Sequence, residues 1–438
     1  MRARLREPAA LALLLAGAAV GTAAFATVWM ESARDLDTGW VPWAVLVVGA
    51  YLVVHLVVRV ALRGTDPVLL PVSGLLTALG LTFIYRVAPE NAERQLAWLG
   101  IGLAALLAVV LVVRDHRRLE RYPYLFGLAA IGLLLLPSVP GLGLRVNEVR
   151  LWIELGPFRL QPGELAKLCL VVFLAAYLRD KREALTAGRL KDVGPLLVVW
   201  GAALLVIVQT SDLGSALLNF GIFLAMLYVA TGRPAYVIGG LALFGAGAYG
   251  LYHAIDRVQQ RVTVWLHPWT DEPVFCAVNG KLELRQDCAS YQLVKSLYSV
   301  GNGGPTGTGL GRGTFETLDG AQLIPYLDTD FIYSAIGQEL GFVGAAAVVL
   351  LYVVLVVRGM RIAREAPDGF SKLLAAGLAF GLALQTFIIV GGVVRVLPLT
   401  GITLPFVSYG GSSILANMIA VGLLLLVAHR GSSREGAS

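Results

Sequence analysis

Several charged residues in this sequence adjoin long apolar stretches, where an isolated charge is costly. Asp256 follows the apolar stretch 233–254 and is itself followed by Arg257 and Arg261. A carboxylate in such a position can accept a proton from a hydroxyl group, and neighbouring guanidinium groups can hold phosphate oxygens. The same residues would also suit a simple charged cluster at a membrane surface, and the sequence leaves both interpretations open.

A second pair of opposite charges, Glu164 and Lys167, follows Gln161 and Pro162. Proline at the start of a helix costs no hydrogen bond, so we expect a helix to begin here with both charged side chains on one face. Two interpretations are open: an ion pair at the membrane interface, or one wall of a polar cavity within the membrane. Arg150, earlier in the chain, adds a cation at the outer surface.

The long polar stretch 255–327 contains the third group of candidate residues. Residues 289–300, which include Lys295, have apolar positions at helical spacing and predict an amphipathic helix lying on the membrane. The glycine-rich segment 301–313 allows tight turns and close approach of the backbone to a ligand. It is not a dinucleotide-binding fingerprint, because no strand precedes it.

Acidic residues surround the start of the helix that is expected after this stretch. Asp328 and Asp330 stand where helix-capping acceptors are common, so we predict that they cap the helix. Glu339 falls about two helical turns deeper, where a carboxylate costs roughly 2.5–3.5 kcal/mol at the centre of a membrane helix. Glu339 must therefore face a polar partner.

The segment 395–413 contains two prolines and three glycines, so it cannot form a regular helix. Non-helical backbone at membrane depth is tolerated where it is buried in protein or lines a water-filled cavity. Arg395 begins this segment, and Ser408 and Ser412 lie near its end. Serine hydroxyls and free N–H groups at a helix start favour an anion, so these three residues are candidates for binding one.

The elements that position these residues are membrane helices. Of the 438 residues, 57% are hydrophobic and only 15% are charged, whereas a soluble domain has about 25% charged residues. The apolar residues form blocks of the length that a bilayer-crossing helix needs. We therefore predict an all-α polytopic membrane protein with about twelve transmembrane helices. The predicted spans are 8–30, 41–62, 67–86, 94–113, 122–140, 163–178, 193–209, 212–231, 233–254, 328–357, 370–394 and 408–430.

The distribution of basic residues predicts how the chain is oriented. Most of the 35 Lys and Arg residues fall at the termini or in loops on one side of the predicted membrane. Because such loops stay in the cytoplasm, both termini are predicted to be cytoplasmic and the loop 255–327 to lie outside. The net charge of +6 reflects this bias, with some attraction to anionic membrane lipid, and does not indicate nucleic acid.

Two of the three cysteines, Cys276 and Cys288, lie in the predicted outside loop. In an oxidising compartment they could form a disulfide that closes a hairpin. Two free thiols or a metal site are the alternatives. The metal site is the weakest of these, because no further Cys or His completes a set of four ligands.

These segments, in this order, resemble the SEDS family of shape, elongation, division and sporulation proteins (the RodA/FtsW/SpoVE type), with the chain most similar to the RodA branch. The family's QPSELAK-like, QPDLG-like, TDFI, EELG and LPxxSYGGSS motifs correspond to Gln161–Lys167, Gln209–Gly214, Thr329–Ile332, Gln338–Gly341 and Leu404–Ser413. The chain departs from the family pattern at Leu151, Gly163 and Gln338.

The resemblance implies a ten-helix core over 67–430 that includes the extracytoplasmic loop 255–327. A two-helix N-terminal extension would occupy 1–66, and a cytoplasmic tail 431–438. It also implies a peptidoglycan glycosyltransferase in the cytoplasmic membrane that polymerises lipid II, the undecaprenyl-diphosphate-linked disaccharide pentapeptide. Such proteins work with a class B penicillin-binding protein during cell elongation or division.

In this family an essential aspartate precedes a QRV run, which here corresponds to Asp256 before Gln260–Val262. The resemblance thus assigns Asp256 as the base of an inverting displacement. No cofactor is certain, although Mg²⁺ or Mn²⁺ could support the leaving diphosphate, and no metal ligands are assigned. A lipid II flippase or a non-catalytic scaffold is the alternative function. The candidate substrate-binding residues are Arg150, Glu164, Lys167, Arg261, Lys295, Glu339, Arg395, Ser408 and Ser412.

Overall fold

The computed structural model of the protein describes most of the chain. The described ranges are 2–33, 38–62, 64–146, 149–156, 158–187, 194–209, 212–270, 273–276, 281–316 and 322–435. Helices dominate because backbone N–H and C=O groups in a membrane must be hydrogen-bonded within the chain. The helices are α1 Arg2–Ala33, α2 Trp40–Ala61, α3 Leu69–Val87, α4 Pro89–Ala108, α5 Pro123–Leu135, α6 Pro162–Asp180, α7 Arg182–Thr186, α8 Gly194–Gln209, α9 Leu213–Thr231, α10 Pro234–Ala254, α11 Asp256–Leu266, α12 Tyr291–Gly303, α13 Ile332–Glu365, α14 Gly369–Val393 and α15 Gly411–Glu435.

Each of the twelve predicted spans coincides with a helix in the described part of the chain. Nine of the described helices are long and apolar enough to cross a membrane. Of the three remaining predicted spans, α5 and α8 are shorter, and α6 carries charged residues at both ends. The prediction of an all-α polytopic membrane protein is confirmed.

Small strands, which the sequence did not predict, shape the loops between helices. Strands β1 Gly143–Val146, β2 Val149–Leu155 and β3 Phe158–Leu160 form an antiparallel sheet before α6. Strands β4 Pro273–Cys276 and β5 Lys281–Leu284 form an antiparallel hairpin between α11 and α12. A disulfide joins Cys276 to Cys288 and ties this hairpin to the turn that precedes α12.

Helix α13 differs from its predicted form, because the backbone is not helical throughout. Gly341 has φ 67° and ψ −171°, so Ile332–Leu340 is a short helical piece separated from the longer helix that follows. The prediction that Asp328 and Asp330 cap this helix is wrong. The residue at the N-cap position is Phe331, and no side chain caps the helix. Asp328 instead accepts a hydrogen bond from Asn91 Nδ2 at 2.8 Å.

The glycine-rich segment 301–313 packs against the break in α13. The Gly309 N–H donates to the Glu339 carbonyl at 3.0 Å, and the Phe342 N–H donates to the Gly304 carbonyl at 2.8 Å. A Cβ added to Gly307, whose φ is +83°, would lie 2.1 Å from the Glu339 carbonyl oxygen. These glycines therefore permit contact between two backbone segments of the protein itself.

This packing makes the effect of an alanine at Gly307 predictable. We expect Gly307→Ala to destabilise the protein by on the order of 3 kcal/mol, because the new Cβ adds overpacking to a positive φ. Gly301, within α12, has open space where a Cβ would lie and serves as the matched control.

The check is the melting temperature of each purified variant in detergent. We expect a clear decrease for Gly307→Ala and an unchanged or raised value for Gly301→Ala, because alanine favours a helix more than glycine does. Equal melting temperatures for the two variants would contradict the described packing of the glycine segment.

Candidate active site

The non-helical backbone between α14 and α15 forms the centre of the candidate site. Gln385 on α14 donates from Nε2 to the Thr403 carbonyl at 2.9 Å, and the Tyr352 hydroxyl of α13 donates to the Pro405 carbonyl. The Leu404 N–H donates to Ser408 Oγ at 2.9 Å. Side chains from neighbouring helices thus replace the backbone hydrogen bonds that a helix would have made.

Ser408 holds this segment to its neighbours. Its hydroxyl donates to the Thr329 carbonyl at 2.6 Å, and its own carbonyl accepts from Gln95 Nε2 at 3.3 Å. Ser412 Oγ accepts a hydrogen bond from the Gln161 N–H at 2.6 Å. Both serines are buried with protein partners, so the predicted contact with substrate would have to displace these bonds. That contact stays a prediction.

Glu164 and Lys167 form a buried network at the start of α6. Lys167 Nζ lies 2.9 Å from Glu164 Oε2 and 2.8 Å from Gln385 Oε1. Each of the two charged side chains is only 10% exposed, which does not fit an ion pair at the membrane interface. Because Gln385 also binds the Thr403 carbonyl, this network connects α6 to the non-helical segment.

Arg395 joins α11 to the same segment. Its guanidinium donates from Nε to the Trp265 carbonyl at 2.8 Å and from Nη2 to the Leu266 carbonyl at 2.9 Å. The Trp265 indole N–H donates back to the Arg395 carbonyl at 3.1 Å. The guanidinium also lies 5.1 Å from the centre of the Trp269 ring. Arg395 therefore docks α11, and its predicted role in substrate binding remains a prediction.

Arg261, on the half-buried side of α11, lies among carboxylates from two other elements. Its Nη1 donates to the Thr400 carbonyl at 3.4 Å, and it interacts electrostatically with Asp212 and Asp330. Asp212 also caps α9 by accepting from the Ser215 N–H at 3.0 Å. Asp330 Oδ2 lies 3.6 Å from the position that a Cβ would take on Gly401. Asp212, Arg261 and Asp330 are called the acid–arginine cluster below.

Burial changes the protonation of this cluster. Loss of solvent raises the pKa of Asp330 to about 7, although the charge of Arg261 opposes the rise. The pKa of Asp212 is also raised by burial, and hydrogen bonds from Ser215 oppose it. Burial lowers the pKa of Arg261. Asp330 can therefore exchange a proton near neutral pH, which an ordinary aspartate does not do.

Unsatisfied polar atoms line the backbone beside this cluster. The hydroxyl groups of Thr400 and Thr403 are buried and have no hydrogen-bond partner among the described residues. Buried polar atoms normally have a partner, so both hydroxyls are candidates for a hydrogen bond to a ligand or water that reaches this backbone. They lie on the segment that Arg261 and Gln385 also contact.

Asp256, the predicted base, lies at the edge of this arrangement. It is the first residue of α11 and its side chain is exposed to solvent. Arg261 is five residues further along the helix and therefore on a different face. The structure does not bring Asp256 into the acid–arginine cluster, and its role as the base stays a prediction.

The remaining predicted substrate residues lie in different environments. The Glu339 side chain is fully buried, lies 3.2 Å from Arg86 Nε and accepts the Gly311 and Gly313 N–H groups at 3.0 Å each. Arg86 and the two backbone N–H groups are the polar partners that the sequence predicts for Glu339. Through these bonds, Glu339 fixes the position of the glycine-rich segment. Lys295 is half-buried on α12 against the Tyr291 ring, and Arg150 is exposed on β2.

Metal ligation was left open by the sequence. Among the described residues, no group of three or more His, Cys, Asp or Glu side chains is placed to hold a metal ion. The two carboxylates of the acid–arginine cluster face an arginine, which offsets their charge. These donors do not form a dedicated Mg²⁺ or Mn²⁺ site of the usual oxygen-rich kind.

Sequence reasoning missed Asp212 and Asp330 as members of the site. From the sequence, Asp212 has no assigned role of its own and Asp330 is predicted only as a helix cap. Each nevertheless lies within a family-like motif, Gln209–Gly214 or Thr329–Ile332, and that position was the available signal. No residue spacing predicts that α9, α11 and the turn before α13 converge.

The raised pKa of Asp330 predicts how stability depends on pH. Between the ordinary pKa of 3.8 and about 7, the folded protein keeps a proton that the unfolded chain has released, so stability falls as the pH rises through this window. Asp330→Asn removes that loss. At each pH, the melting temperature of the unchanged protein is subtracted from that of Asp330→Asn. We expect this difference to be larger at about pH 8 than at about pH 5.

Thermal unfolding of the purified protein in detergent checks this prediction. Asp287→Asn, which changes an exposed carboxylate of the outer loop, is the control and should show the same difference at both pH values. If the melting temperature of Asp330→Asn minus that of the unchanged protein stays constant or becomes smaller with rising pH, Asp330 is not protonated in the folded state.

Comparison with known proteins agrees with this arrangement. A family model described as "Cell cycle protein", which combines FtsW, RodA and SpoVE, matches residues 67–433. The peptidoglycan glycosyltransferase RodA of Mycobacterium bovis is 40% identical over 443 residues, covering 95% of this chain and 89% of that protein. The matched family region thus begins just before α3 and leaves α1 and α2 outside.

Two solved structures share the fold. The crystal structure of RodA from Thermus thermophilus is 27% identical, covers 84% of this chain and 97% of that chain, and has a TM-score of 0.57. A structure described as "Structural coordination of polymerization and crosslinking by a peptidoglycan synthase complex" is 27% identical, covers 84% and 98%, and has a TM-score of 0.67. The resemblance inferred from the motifs is confirmed, and the chain belongs to the FtsW/RodA/SpoVE (SEDS) family.

Proposed function

We propose that this protein is a peptidoglycan glycosyltransferase that polymerises lipid II into glycan strands at the outer face of the cytoplasmic membrane. The observation that carries the proposal is the match of residues 67–433 to the family, together with relatives named as peptidoglycan glycosyltransferases. Buried polar groups from α6, α9, α11, α14 and the turn before α13 converge within this region. Such groups inside a membrane protein indicate function by default.

The reaction is a single displacement at the anomeric carbon of the donor sugar. A hydroxyl oxygen of the acceptor sugar forms the new bond to that carbon, while the bond from the carbon to the diphosphate oxygen breaks. The diphosphate leaves with the bonding electron pair, and the hydroxyl proton goes to a carboxylate. An α-linked donor that becomes a β-linked product requires inversion, so no covalent enzyme intermediate is needed.

Asp256 is our candidate for the base that accepts the proton. Its exposed position at the start of α11 leaves its carboxylate open to a sugar that approaches from outside the membrane. Arg395 and Trp265 dock α11 through three hydrogen bonds, and Arg261 adds a fourth to the Thr400 carbonyl. A docked helix holds Asp256 in position, which is what general-base catalysis requires.

The acid–arginine cluster is our candidate for the group that supports the departing diphosphate. Arg261 is the cation of this cluster, and the unpartnered Thr400 and Thr403 hydroxyls can donate to phosphate oxygens. A proton on Asp330 would lower the negative charge that a diphosphate meets there. Lys295 and Arg150 are further candidate cations on the same side of the membrane. A Mg²⁺ or Mn²⁺ ion would have to rely largely on the diphosphate itself for ligands.

A partner and an orientation complete the proposal. A structure of similar fold is described as a peptidoglycan synthase complex that coordinates polymerisation and crosslinking. We propose a class B penicillin-binding protein as the corresponding partner here. We also propose that both termini lie in the cytoplasm, which the distribution of Lys and Arg residues supports, and that α11, α12 and the β4–β5 hairpin lie outside.

The alternative functions predict different products. A lipid II flippase would move its substrate without lengthening glycan, and a scaffold would do neither. The names of the relatives favour the polymerase. Purified protein that makes glycan chains in detergent would exclude both alternatives.

The decisive substitution is Asp256→Asn. If Asp256 is the base, we expect the glycan yield from lipid II to fall by about 10²–10⁴-fold, because the amide cannot accept the proton. The yield is measured by gel analysis of products made by purified protein, with and without its penicillin-binding partner.

Two further variants separate catalysis from folding. Asp287→Asn changes another exposed carboxylate of the outer loop and should leave the yield near normal. Asp330→Asn tests whether the catalytic base is in the acid–arginine cluster instead. Normal glycan yield from Asp256→Asn, with loss in Asp330→Asn, would move the base to Asp330 and leave the glycosyltransferase function standing.

A further inference from the structure

A long apolar groove lies between α1, α2 and α3, far along the chain from the candidate active site. α1 packs closely on α3, because a Cβ on Gly21 would lie only 2.6 Å from the Ala78 Cβ. α2 stands further from α3, and the space between them is the groove. Its lining includes Leu14, Ala18, Phe25, Val47, Leu52 and Leu75.

Aromatic rings close one end of this groove. Phe25 and Trp43 both line it, and their ring centres are 5.8 Å apart. Tyr85 packs against Phe25 at 5.3 Å and stacks on Trp29 at 5.0 Å. Aromatic residues of this kind favour the headgroup level of a membrane, so this end lies near one surface of the bilayer.

The other end of the groove leads to a second, more polar cavity. Pro71 of α3 lines both spaces, which makes them neighbours along the helices. The polar cavity lies beside the turn between α2 and α3, on the side of the membrane that the basic residues predict to be cytoplasmic. His55, Arg59, Thr65 and Asp66 are among the residues that line it.

His55 is the polar group that requires explanation. The residue is 4% exposed, yet its Nε2 atom is buried without a hydrogen-bond partner among the described residues. A polar atom buried in a membrane protein is costly unless a partner satisfies it. Because His55 is one of the residues that line the polar cavity, a rotation of its ring would let a molecule bound there supply that partner.

The charges around His55 favour an anionic ligand. Arg59 is close enough to interact electrostatically with His55, in addition to its other contact within the protein. The one carboxylate among the described residues that line the cavity, Asp66, accepts the Val68 and Leu69 N–H groups at 2.9 and 3.2 Å. It also lies 3.6 Å from Arg358 Nη1. Its negative charge is thus already compensated.

We propose that the groove and the cavity together bind one anionic phospholipid, with its phosphate at His55 and Arg59 and an acyl chain between α1, α2 and α3. An imidazole N–H and a guanidinium group match a phosphodiester, and the adjoining groove is apolar along its length. The lipid would fill the gap that α2 leaves against α3. It would then stabilise the attachment of the N-terminal extension, which the family match at residues 67–433 does not include.

Lipid binding to the purified full-length chain in detergent tests the proposal, with native mass spectrometry as the readout. The probes are phosphatidylglycerol, phosphatidylcholine and inorganic phosphate. We expect phosphatidylglycerol to bind more tightly than phosphatidylcholine. His55→Leu removes the donor and should weaken phosphatidylglycerol about tenfold, whereas His55→Gln keeps an N–H donor and should largely restore binding.

The groove has its own variant and control. Ala18→Phe fills the groove and should reduce binding of phosphatidylglycerol, whereas Leu46→Phe changes a side chain of α2 that is exposed outside it and should not. Melting temperatures establish that each variant is folded.

Three results would overturn the proposal. The first is equal binding of phosphatidylglycerol to the unchanged protein and to His55→Leu. The second is equal affinity for phosphatidylglycerol and phosphatidylcholine. The third is a pair of observations: inorganic phosphate binds at His55, and Ala18→Phe has no effect on the binding of phosphatidylglycerol. Together these would show a site for an ion and not for a lipid.

Discussion

The constraint on which the structure depends is that non-helical backbone within a membrane must find its hydrogen bonds inside the protein. Two segments break the helical pattern, the stretch between α14 and α15 and the break in α13 at Gly341. Glu339 satisfies the N–H groups of Gly311 and Gly313, and Gln385 satisfies the Thr403 carbonyl. The most deeply buried polar side chains therefore serve the backbone first.

This constraint separates the candidate residues into two kinds. Ser408, Ser412 and Glu339 have protein partners that hold the chain in its irregular course. Asp256 is instead exposed at the start of α11. In the acid–arginine cluster, Asp212 and Arg261 also bind backbone groups, but the cluster lies beside hydroxyls without partners among the described residues. A strongly recognisable motif such as Leu404–Ser413 can thus be a structural element, because irregular backbone restricts its sequence as strongly as a substrate would.

The same reasoning applies at the opposite end of the molecule. Within the described core, the His55 Nε2 atom has no partner, whereas other buried polar groups such as Lys167 and Gln385 have several. Like Thr400 and Thr403, His55 therefore marks a place where the described residues alone do not complete the hydrogen bonding. His55 lies on α2, outside the region that the family model matches. A lipid is the partner whose polar and apolar parts fit both adjoining spaces.

The sequence by itself determined the membrane class, all twelve helical segments and the family. Those follow from apolar length and from local motifs, which depend only on neighbouring residues. It did not determine the break at Gly341, the burial of Glu164 and Lys167, or the meeting of Asp212, Arg261 and Asp330. These depend on how helices distant in the chain pack together, because depth and burial are properties of the assembled bundle. The exposed position of Asp256 outside that cluster was likewise decided only by the docking of α11 through Arg395 and Trp265.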